Sequence, residues 1–187
     1  MKGLNKEGFI IEFNDTVLDV IDFDSDDIHS PQYHGLNHAM KAVDVIAEFP
    51  EECLFIEMKD YSMPNAMRFR CSFQSKRLKD YCERADENSQ LKKICADIRS
   101  KFYETFLYRY AEGKVSKPIF CIALAKLDSA MLHRLNEQLK SQMPIGKACK
   151  RWRRELFCRF VAVDESMWNK LFSEKYGITH IAKNLMS

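Results

Sequence analysis

Two short apolar runs joined at Pro50-Glu51 constrain the fold of this chain more than any other feature. The first run spans residues 42–49 and the second spans residues 53–60. Proline suits the first central position of a tight turn, where its missing N–H costs nothing. Apolar runs of this length on either side of such a turn predict two strands paired as a β-hairpin.

The register of this hairpin decides which polar side chains meet. In a tight turn at Pro50-Glu51, Phe49 lies opposite Glu52 and Asp44 lies opposite Glu57, with directly opposed Cβ atoms about 5 Å apart. Lys59 follows two residues after Glu57 and so lies on the same face. A slip of one residue would separate these groups. In the expected register, two carboxylates and an ammonium group converge.

This grouping predicts a particular chemistry. Two carboxylates at such a distance repel each other unless a cation lies between them or one is protonated. Oxygen ligands suit a hard cation such as Mg²⁺ or Mn²⁺, which polarises phosphoryl oxygens and lowers the pKa of a bound water. The lysine can orient or deprotonate that water, or stabilise the developing negative charge. The pattern therefore points to metal-assisted phosphodiester hydrolysis.

The same residues resemble a known signature. Asp44 followed by Glu57-Met58-Lys59 on an apolar strand is similar to the active-site motif of the PD-(D/E)XK nuclease superfamily. The resemblance implies an α/β fold with a central mixed β-sheet flanked by helices, the restriction-endonuclease-like core. It implies that Asp44, Glu57 and the main-chain carbonyl of Met58 bind Mg²⁺ or Mn²⁺. Lys59 would then be the catalytic lysine.

The resemblance covers roughly residues 8–127 and leaves several points open. Val43 stands before the acid, where the family often has proline. Many members add an acid from an N-terminal element, for which Glu7 and Glu12 are both candidates. The family also implies an endonuclease acting on DNA, with RNA as an open alternative. The resemblance further implies a homodimer or the nuclease subunit of a larger restriction or phage-defence complex.

Periodicity along the chain predicts the other elements. Residues 8–13 and 17–23, with a turn signal at Asn14-Asp15, predict an N-terminal hairpin. Leu91–Tyr110 carries apolar residues at three- and four-residue spacing, which predicts a helix. Residues 62–89 are polar and predict irregular structure. The later predicted elements are a strand at Pro118–Leu127, a helix at Ser129–Gln142, a strand at Leu156–Val163 and a helix at Glu165–Tyr176.

Length and composition predict one domain. The 187 residues are 46% hydrophobic and 30% charged, which suits a single nuclease-like domain over 1–187 with a core at 8–127 and an extension at 128–187. No apolar run reaches the length of about 20 residues that crosses a bilayer. The seven cysteines are odd in number and form no CxxC pair, so we expect reduced thiols and a cytoplasmic protein without a membrane partner.

Charge is unevenly distributed along the chain. Residues 1–60 carry 14 acids and 4 bases, whereas residues 61–187 carry 13 acids and 25 bases. The N-terminal part therefore suits cations and the later part suits a polyanion. The densest basic cluster surrounds Trp152, which can stack on an unpaired base. The predicted nucleic-acid-binding residues are Lys147, Lys150, Arg151, Arg153 and Arg154. A looser basic set comprises Arg68, Arg70, Lys76, Arg77 and Lys79.

Two alternatives come from other functional classes. The first is a non-catalytic module that keeps the fold and binds nucleic acid or a protein through its basic residues. The second is a zinc-dependent hydrolase built on His29, His34 and His38, whose spacing permits zinc binding only if further ligands join them. The chain has no GxxxxGK[ST], GxGxxG or GxSxG motif, which disfavours an ATPase, a Rossmann enzyme and a serine hydrolase.

Overall fold

The computed structural model describes residues 2–36, 38–61, 76–146 and 149–181, and for residues 76–87 it describes only the course of the backbone. Within these residues the chain forms eight strands and three helices. In chain order they are β1 Lys2–Lys6, β2 Phe9–Phe13, β3 Asp19–Asp22, β4 Val45–Glu48, β5 Cys53–Lys59, α1 Lys76–Ala111, β6 Ile119–Ala125, α2 Ser129–Gln142, β7 Arg159–Val163, α3 Glu165–Phe172 and β8 Gly177–Ile181. None of the helices so described is long and apolar enough to cross a membrane.

The central sheet is mixed, as predicted for an α/β fold. Its five strands lie in the order β3, β4, β5, β6 and β7. The β3–β4 and β4–β5 pairs are antiparallel, whereas the β5–β6 and β6–β7 pairs are parallel. Strands β5 and β6 are buried along nearly their whole length, which is typical of strands covered on both faces. Each parallel pair needs a crossover, and α1 and α2 supply them.

Two further layers cover the central sheet. On one face, α1 and α2 bury apolar side chains such as Phe102 and Leu135 against it. On the other face lie α3 and an antiparallel sheet in the order β1, β2 and β8, which bury Ile11 and Trp168. Each fully buried side chain of this size contributes about 1.5–3 kcal/mol of transfer free energy. The β4–β5 hairpin therefore lies in the middle of three layers.

The predicted N-terminal hairpin of residues 8–13 and 17–23 is wrong. Strand β2 pairs with β1 and β8, whereas β3 pairs with β4 in the other sheet. The turn signal is still real, because Asn14 Oδ1 accepts a hydrogen bond from the N–H of Thr16. Its Nδ2 also donates to the carbonyl of Lys175 at 2.8 Å. After this turn the chain passes from the sheet that contains β2 to the central sheet, which contains β3. The two strands lie in different layers, because the apolar face of β2 is buried against the central sheet.

The helix predicted at Leu91–Tyr110 is confirmed but is longer than predicted. Helix α1 begins at Lys76, so the irregular structure predicted for 62–89 is wrong from residue 76 onward, and residues 62–75 lie outside those described. The sequence from 76 to 90 is rich in Lys, Arg and Glu, which favour helices without forming an apolar stripe. Apolar periodicity therefore detected only the packed half of this helix.

The C-terminal elements largely follow the prediction. Helix α2 has the predicted bounds, and Asp128 caps it by accepting a hydrogen bond from the N–H of Met131 at 2.8 Å. Strands β6 and β7 and helix α3 are shorter than predicted. Strands β1 and β8 were not predicted, because their short sequences KGLNK and GITHI mix polar and apolar residues without a clear alternation.

Candidate active site

The β4–β5 hairpin has the register predicted from its turn. Val45 pairs with Ile56, which places Asp44 opposite Glu57. The N–H of Phe49 donates to the carbonyl of Glu52 at 2.9 Å and closes the turn. The first strand begins only at Val45 rather than at residue 42, so Asp44 lies directly before it.

Asp44 and Glu57, here called the carboxylate pair, lie inside the protein. Each residue is 1% exposed. Asp44 Oδ2 accepts a hydrogen bond from the N–H of Met58 at 2.5 Å. The carbonyl of Lys59 points to the opposite edge of β5, where it accepts from the N–H of Lys126. Because peptide groups alternate along a strand, the carbonyl of Met58 lies on the same edge as Asp44.

Two lysines flank the carboxylate pair. Lys59 Nζ lies 3.5 Å from Glu57 Oε1, and its side chain is 26% exposed. Lys101, which comes from α1, is 8% exposed and places its Nζ 2.9 Å from the same oxygen. Lys101 Nζ also lies 3.8 Å from Asp24 Oδ2. Glu57 is therefore in contact with one buried and one half-exposed cation.

Lys101 was not predicted from the sequence, although a signal for it was present. The residue falls between Ile98 and Thr105 on the helical face that packs against the sheet, since positions three and four apart lie on one side of a helix. Both of these neighbours are buried. A single lysine on an otherwise buried helical face indicates a buried negative partner, because lysines are almost never fully buried unpaired.

The structure distinguishes between the two N-terminal acids. Glu7 occupies the β1–β2 turn with φ of 52°, and its Oε1 lies 3.9 Å from Lys59 Nζ. Glu12 lies within β2, opposite Gly3 of β1 and Ile178 of β8. The geometry therefore brings Glu7, and not Glu12, to the ammonium of Lys59.

Burial and mutual repulsion shape the electrostatics of this site. Burial and the negative charge of Asp44 raise the pKa of Glu57 to about 8 despite the nearby ammonium groups. Burial also raises the pKa of Asp44, although Lys101 and the Met58 N–H favour its charged form. Burial lowers the pKa of Lys101, but the attraction of Glu57 and Asp44 outweighs it and the pKa stands above its usual value. Burial and the repulsion between the two carboxylates therefore outweigh the nearby ammonium groups at Glu57.

The donors present fit a hard divalent cation. Glu57 Oε2 is buried and has no hydrogen-bond partner among the described residues. Two carboxylates and one main-chain carbonyl are oxygen ligands, and Mg²⁺ commonly completes such a set with water. The described residues contain no cluster of three or more His, Cys, Asp or Glu side chains arranged for a metal. The Mg²⁺ or Mn²⁺ site expected here would instead depend on Asp44, Glu57 and the Met58 carbonyl.

The three histidines do not form a metal centre in the described chain. His34 stacks on Phe23 with ring centroids 5.0 Å apart and meets Tyr108 edge-on at 5.3 Å. Burial lowers the pKa of His34. His29 and His38 are exposed. The structure therefore gives no support to the zinc-dependent alternative.

The structure places the basic cluster away from the carboxylate pair. Lys150, Arg151, Arg153 and Arg154, here called the basic loop, are exposed in the connection between α2 and β7. Arg154 donates to the carbonyl of Val115 at 2.8 Å, just before β6. The basic loop thus lies where the parallel strands begin, whereas Glu57 lies near the end of β5. Four residues of β5 separate these ends, which is about 13 Å.

Several predicted contacts fall outside the described residues. Lys147, Arg68 and Arg70 are not described. Lys76, Arg77 and Lys79 lie in the first turns of α1, of which only the backbone is described. Their predicted contacts with nucleic acid stay predictions.

A cavity of about 570 Å³ opens at the same end of the central sheet as the carboxylate pair. Its lining includes Tyr61, which follows closely after Lys59, and Lys126 at the end of β6. Lys126 Nζ lies 2.7 Å from Asp60 Oδ2. Ligands of α/β proteins commonly bind outside the carboxyl ends of the strands. This cavity therefore offers room for a ligand at the same end of the sheet, although the carboxylate pair and Lys59 are not among the residues that line it.

Comparison with protein-family models, curated proteins and solved structures finds no match to this chain.

Proposed function

We propose that this protein is a metal-dependent endonuclease that hydrolyses phosphodiester bonds in DNA. One observation carries the proposal. The buried Asp44 lies opposite the buried Glu57 across two paired strands, and Lys59 follows on the same face with its ammonium 3.5 Å from Glu57 Oε1. This is the constellation that the PD-(D/E)XK motif requires.

The order of elements around the site supports the same proposal. The hairpin that carries the acids is followed by a long helix and then by a strand parallel to β5. A restriction-endonuclease-like core has this arrangement, with the acid and the E-x-K motif on adjacent strands. Such a core is part of the proposal, together with a role in restriction or phage defence, as a homodimer or as a subunit.

Each residue of the site has a defined role in this mechanism. Asp44, Glu57 and the Met58 carbonyl would hold Mg²⁺ or Mn²⁺, which supplies polarisation of a phosphoryl oxygen and a water of lowered pKa when bound. Lys59 reaches the solvent-facing side and orients the attacking water, and its charge stabilises the negative charge that develops on phosphorus-bound oxygens. Glu7 Oε1, at 3.9 Å, is a second negative group near the Lys59 ammonium.

A plasmid-cleavage assay tests this proposal. Supercoiled DNA and a labelled RNA are incubated with protein and Mg²⁺, Mn²⁺ or EDTA. We expect metal-dependent nicking of DNA that is lost in Asp44→Asn and in Lys59→Met. Glu12→Gln is the matched control, because Glu12 lies on β2 away from the site, and it should cleave like the wild type. Cleavage that survives both site substitutions would contradict the proposal.

A second candidate function is a non-catalytic nucleic-acid-binding module. The observation that favours it is the position of the basic loop, which is exposed at the opposite end of the central sheet from the carboxylate pair. Binding there does not require an intact metal site. DNA binding by the wild type without cleavage under any metal condition would favour this module over the nuclease.

A further inference from the structure

Lys101 is the most deeply buried lysine among the side chains that the structure describes. It projects from α1 to the carboxylate pair on the central sheet, with Nζ 2.9 Å from Glu57 Oε1. The neighbouring Ile98 and Phe102 on the same helix are buried in the core. An ammonium group in such surroundings is costly unless negative groups compensate it.

The charged groups around Lys101 come from three parts of the fold. Glu57 on β5 is in direct contact, and Asp44 before β4 attracts the ammonium through space. Asp24 follows β3 and lies 3.8 Å away, with its side chain 34% exposed. Lys59 is a second cation at Glu57, with its Nζ 3.5 Å from the same Oε1 oxygen. Lys101 therefore compensates the negative charge of the carboxylate pair from the interior of the protein. Asp24 is a second negative partner for the Lys101 ammonium and lies nearer to the solvent.

We propose that Lys101 is the internal counter-cation of the carboxylate pair and that a divalent cation binds there in competition with its ammonium group. This inference rests on the metal site of the proposed function. Both cations need the oxygens of Glu57, and a doubly charged ion next to a buried ammonium would be strongly repelled. Binding of the metal therefore moves the ammonium away from Glu57 and toward Asp24.

This arrangement has a consequence for the metal-free protein. Two carboxylates that are both ionised and buried without a cation would repel each other, and this repulsion would disfavour the folded state. Lys101 lets the metal-free protein keep both side chains in position, at the expense of affinity for the metal. Lys101 is thus a positioning residue, and its effect appears in metal binding rather than only in turnover.

Titration of the purified protein with Mn²⁺ at pH 8.5, above the pKa of about 8 of Glu57, followed by the electron paramagnetic resonance of the free ion, tests the competition. We expect Lys101→Met to bind Mn²⁺ about tenfold more tightly than the wild type, within the usual range of coupling between two ligands. Lys101→Arg keeps the charge and should stay close to the wild type. Lys41→Met is the matched control, because Lys41 lies before β4 and pairs with Asp97 on the exposed side of α1.

A second measurement observes the ammonium of Lys101 in the wild-type protein and does not depend on the Lys101→Met variant. In the metal-free wild type, the buried and paired ammonium of Lys101 should give a slowly exchanging ¹⁵N resonance, assigned by its absence from Lys101→Arg. We expect this resonance to shift or broaden as Mg²⁺ saturates the site. A resonance that does not change while Mg²⁺ binds, with that binding lost in Glu57→Gln, would overturn the proposal even if Lys101→Met does not fold.

The outcomes separate this inference from the proposed nuclease activity. Mn²⁺ binding that depends on Glu57 and tightens in Lys101→Met supports the inference even if no DNA is ever cleaved. Equal or weaker binding by folded Lys101→Met overturns it even if the wild type cleaves DNA. The absence of Mn²⁺ binding from every folded variant also overturns it.

Discussion

At the scale of single residues, Glu57 is both a buried residue of β5 and one of the proposed metal ligands. Its position was predictable because a strand alternates its faces and the turn at Pro50 fixes the register. Its environment was not predictable, because Lys101 approaches from a helix 44 positions later in the chain. Contacts between distant segments depend on how layers pack, which periodicity within one segment does not specify.

Metal binding should depend on pH through Glu57. Its pKa is raised to about 8 by burial and by Asp44, so the metal-free protein holds a proton there at lower pH. A cation must displace this proton, and its affinity should therefore rise as pH increases toward 8 and level off above that value. The rise should approach about tenfold per pH unit, since one proton is released. Isothermal titration with Mn²⁺ at pH 6.5, 7.5 and 8.5 measures it.

Buffers of different ionisation enthalpy provide the control for this pH dependence. The heat of Mn²⁺ binding below pH 8 should change with the buffer, because protons are released. Affinity that does not depend on pH, with heats independent of the buffer, would show that Glu57 is already ionised without metal.

Replacing Lys59 should slow DNA cleavage without weakening metal binding. Lys59→Met removes the ammonium that faces solvent but leaves Asp44, Glu57 and the Met58 carbonyl in place. We expect the single-turnover cleavage rate to fall by about 10²–10⁴, the usual contribution of a general acid or base. Mn²⁺ affinity should not decrease. Glu57→Gln should instead lose both cleavage and Mn²⁺ binding, and equal losses in the two variants would contradict the separate role of Lys59.

At the scale of elements, the β4–β5 turn is tied to the C-terminal part of the chain through Glu52. This residue is 5% exposed, and its carboxylate accepts hydrogen bonds from Arg159, Lys175 and Tyr176. The network joins the start of β7 and the segment before β8 to the hairpin that carries the carboxylate pair. The C-terminal part of the chain thus contributes to the same fold as the hairpin.

Glu52→Gln should destabilise this junction. Burial alone would raise the pKa of Glu52, but its hydrogen bonds to Lys175 and Tyr176 and the charge of Arg159 outweigh burial and lower it. The ionised form therefore stabilises the fold at neutral pH, and this contribution is lost as pH falls through the lowered pKa. We expect a loss of about 1–3 kcal/mol at pH 7.

Urea denaturation at pH 7 and at pH 3 measures this contribution. The difference between Glu52→Gln and the wild type should be largest at pH 7 and should shrink at pH 3. Lys2→Met, which removes an exposed lysine, is a control of small effect. A difference that stays constant with pH would indicate lost packing rather than a lost charge.

Local signals were sufficient to predict some elements and insufficient for others. Helix α2 combines an Asp128 cap with an apolar stripe, so its bounds followed from sequence. Strand β2 was also predicted, but the strand predicted to pair with it was wrong. One of its actual neighbours, β8, lies more than 160 residues later, and no short-range rule links the two. The alternation of β2 specifies which face is buried, whereas the identity of its neighbours depends on the three-layer packing.

At the scale of the whole molecule, the basic loop and the carboxylate pair occupy opposite ends of the central sheet. The basic loop precedes β7, and the carboxylate pair lies at the end of β5, about 13 Å further along the strand direction. A nucleic acid that contacts both must span at least this distance, which is about four base pairs of duplex at 3.4 Å each. We therefore predict that the basic loop acts on the affinity for DNA and not on the chemical step.

Charge reversal in the basic loop tests whether this loop contributes to DNA affinity. We expect the double variant Arg151→Glu and Arg153→Glu to weaken DNA binding and to reduce the dependence of affinity on salt, because fewer counterions are released. Fluorescence anisotropy of a labelled 20-base-pair duplex at several salt concentrations measures both effects. The double variant Lys92→Glu and Lys93→Glu is the matched control, since these residues are also exposed but lie on α1.

The same variants distinguish an effect on DNA affinity from an effect on the cleavage rate. Mn²⁺ binding by the charge-reversed basic loop should equal that of the wild type, because the carboxylate pair lies at the other end of β5. Cleavage at subsaturating DNA should fall with affinity, whereas cleavage at saturating DNA should recover. A rate that stays low at saturation would place the basic loop in contact with the reacting phosphate and would contradict the separation observed in the fold. Equal losses in the Lys92 and Lys93 control would instead attribute DNA binding to net charge alone.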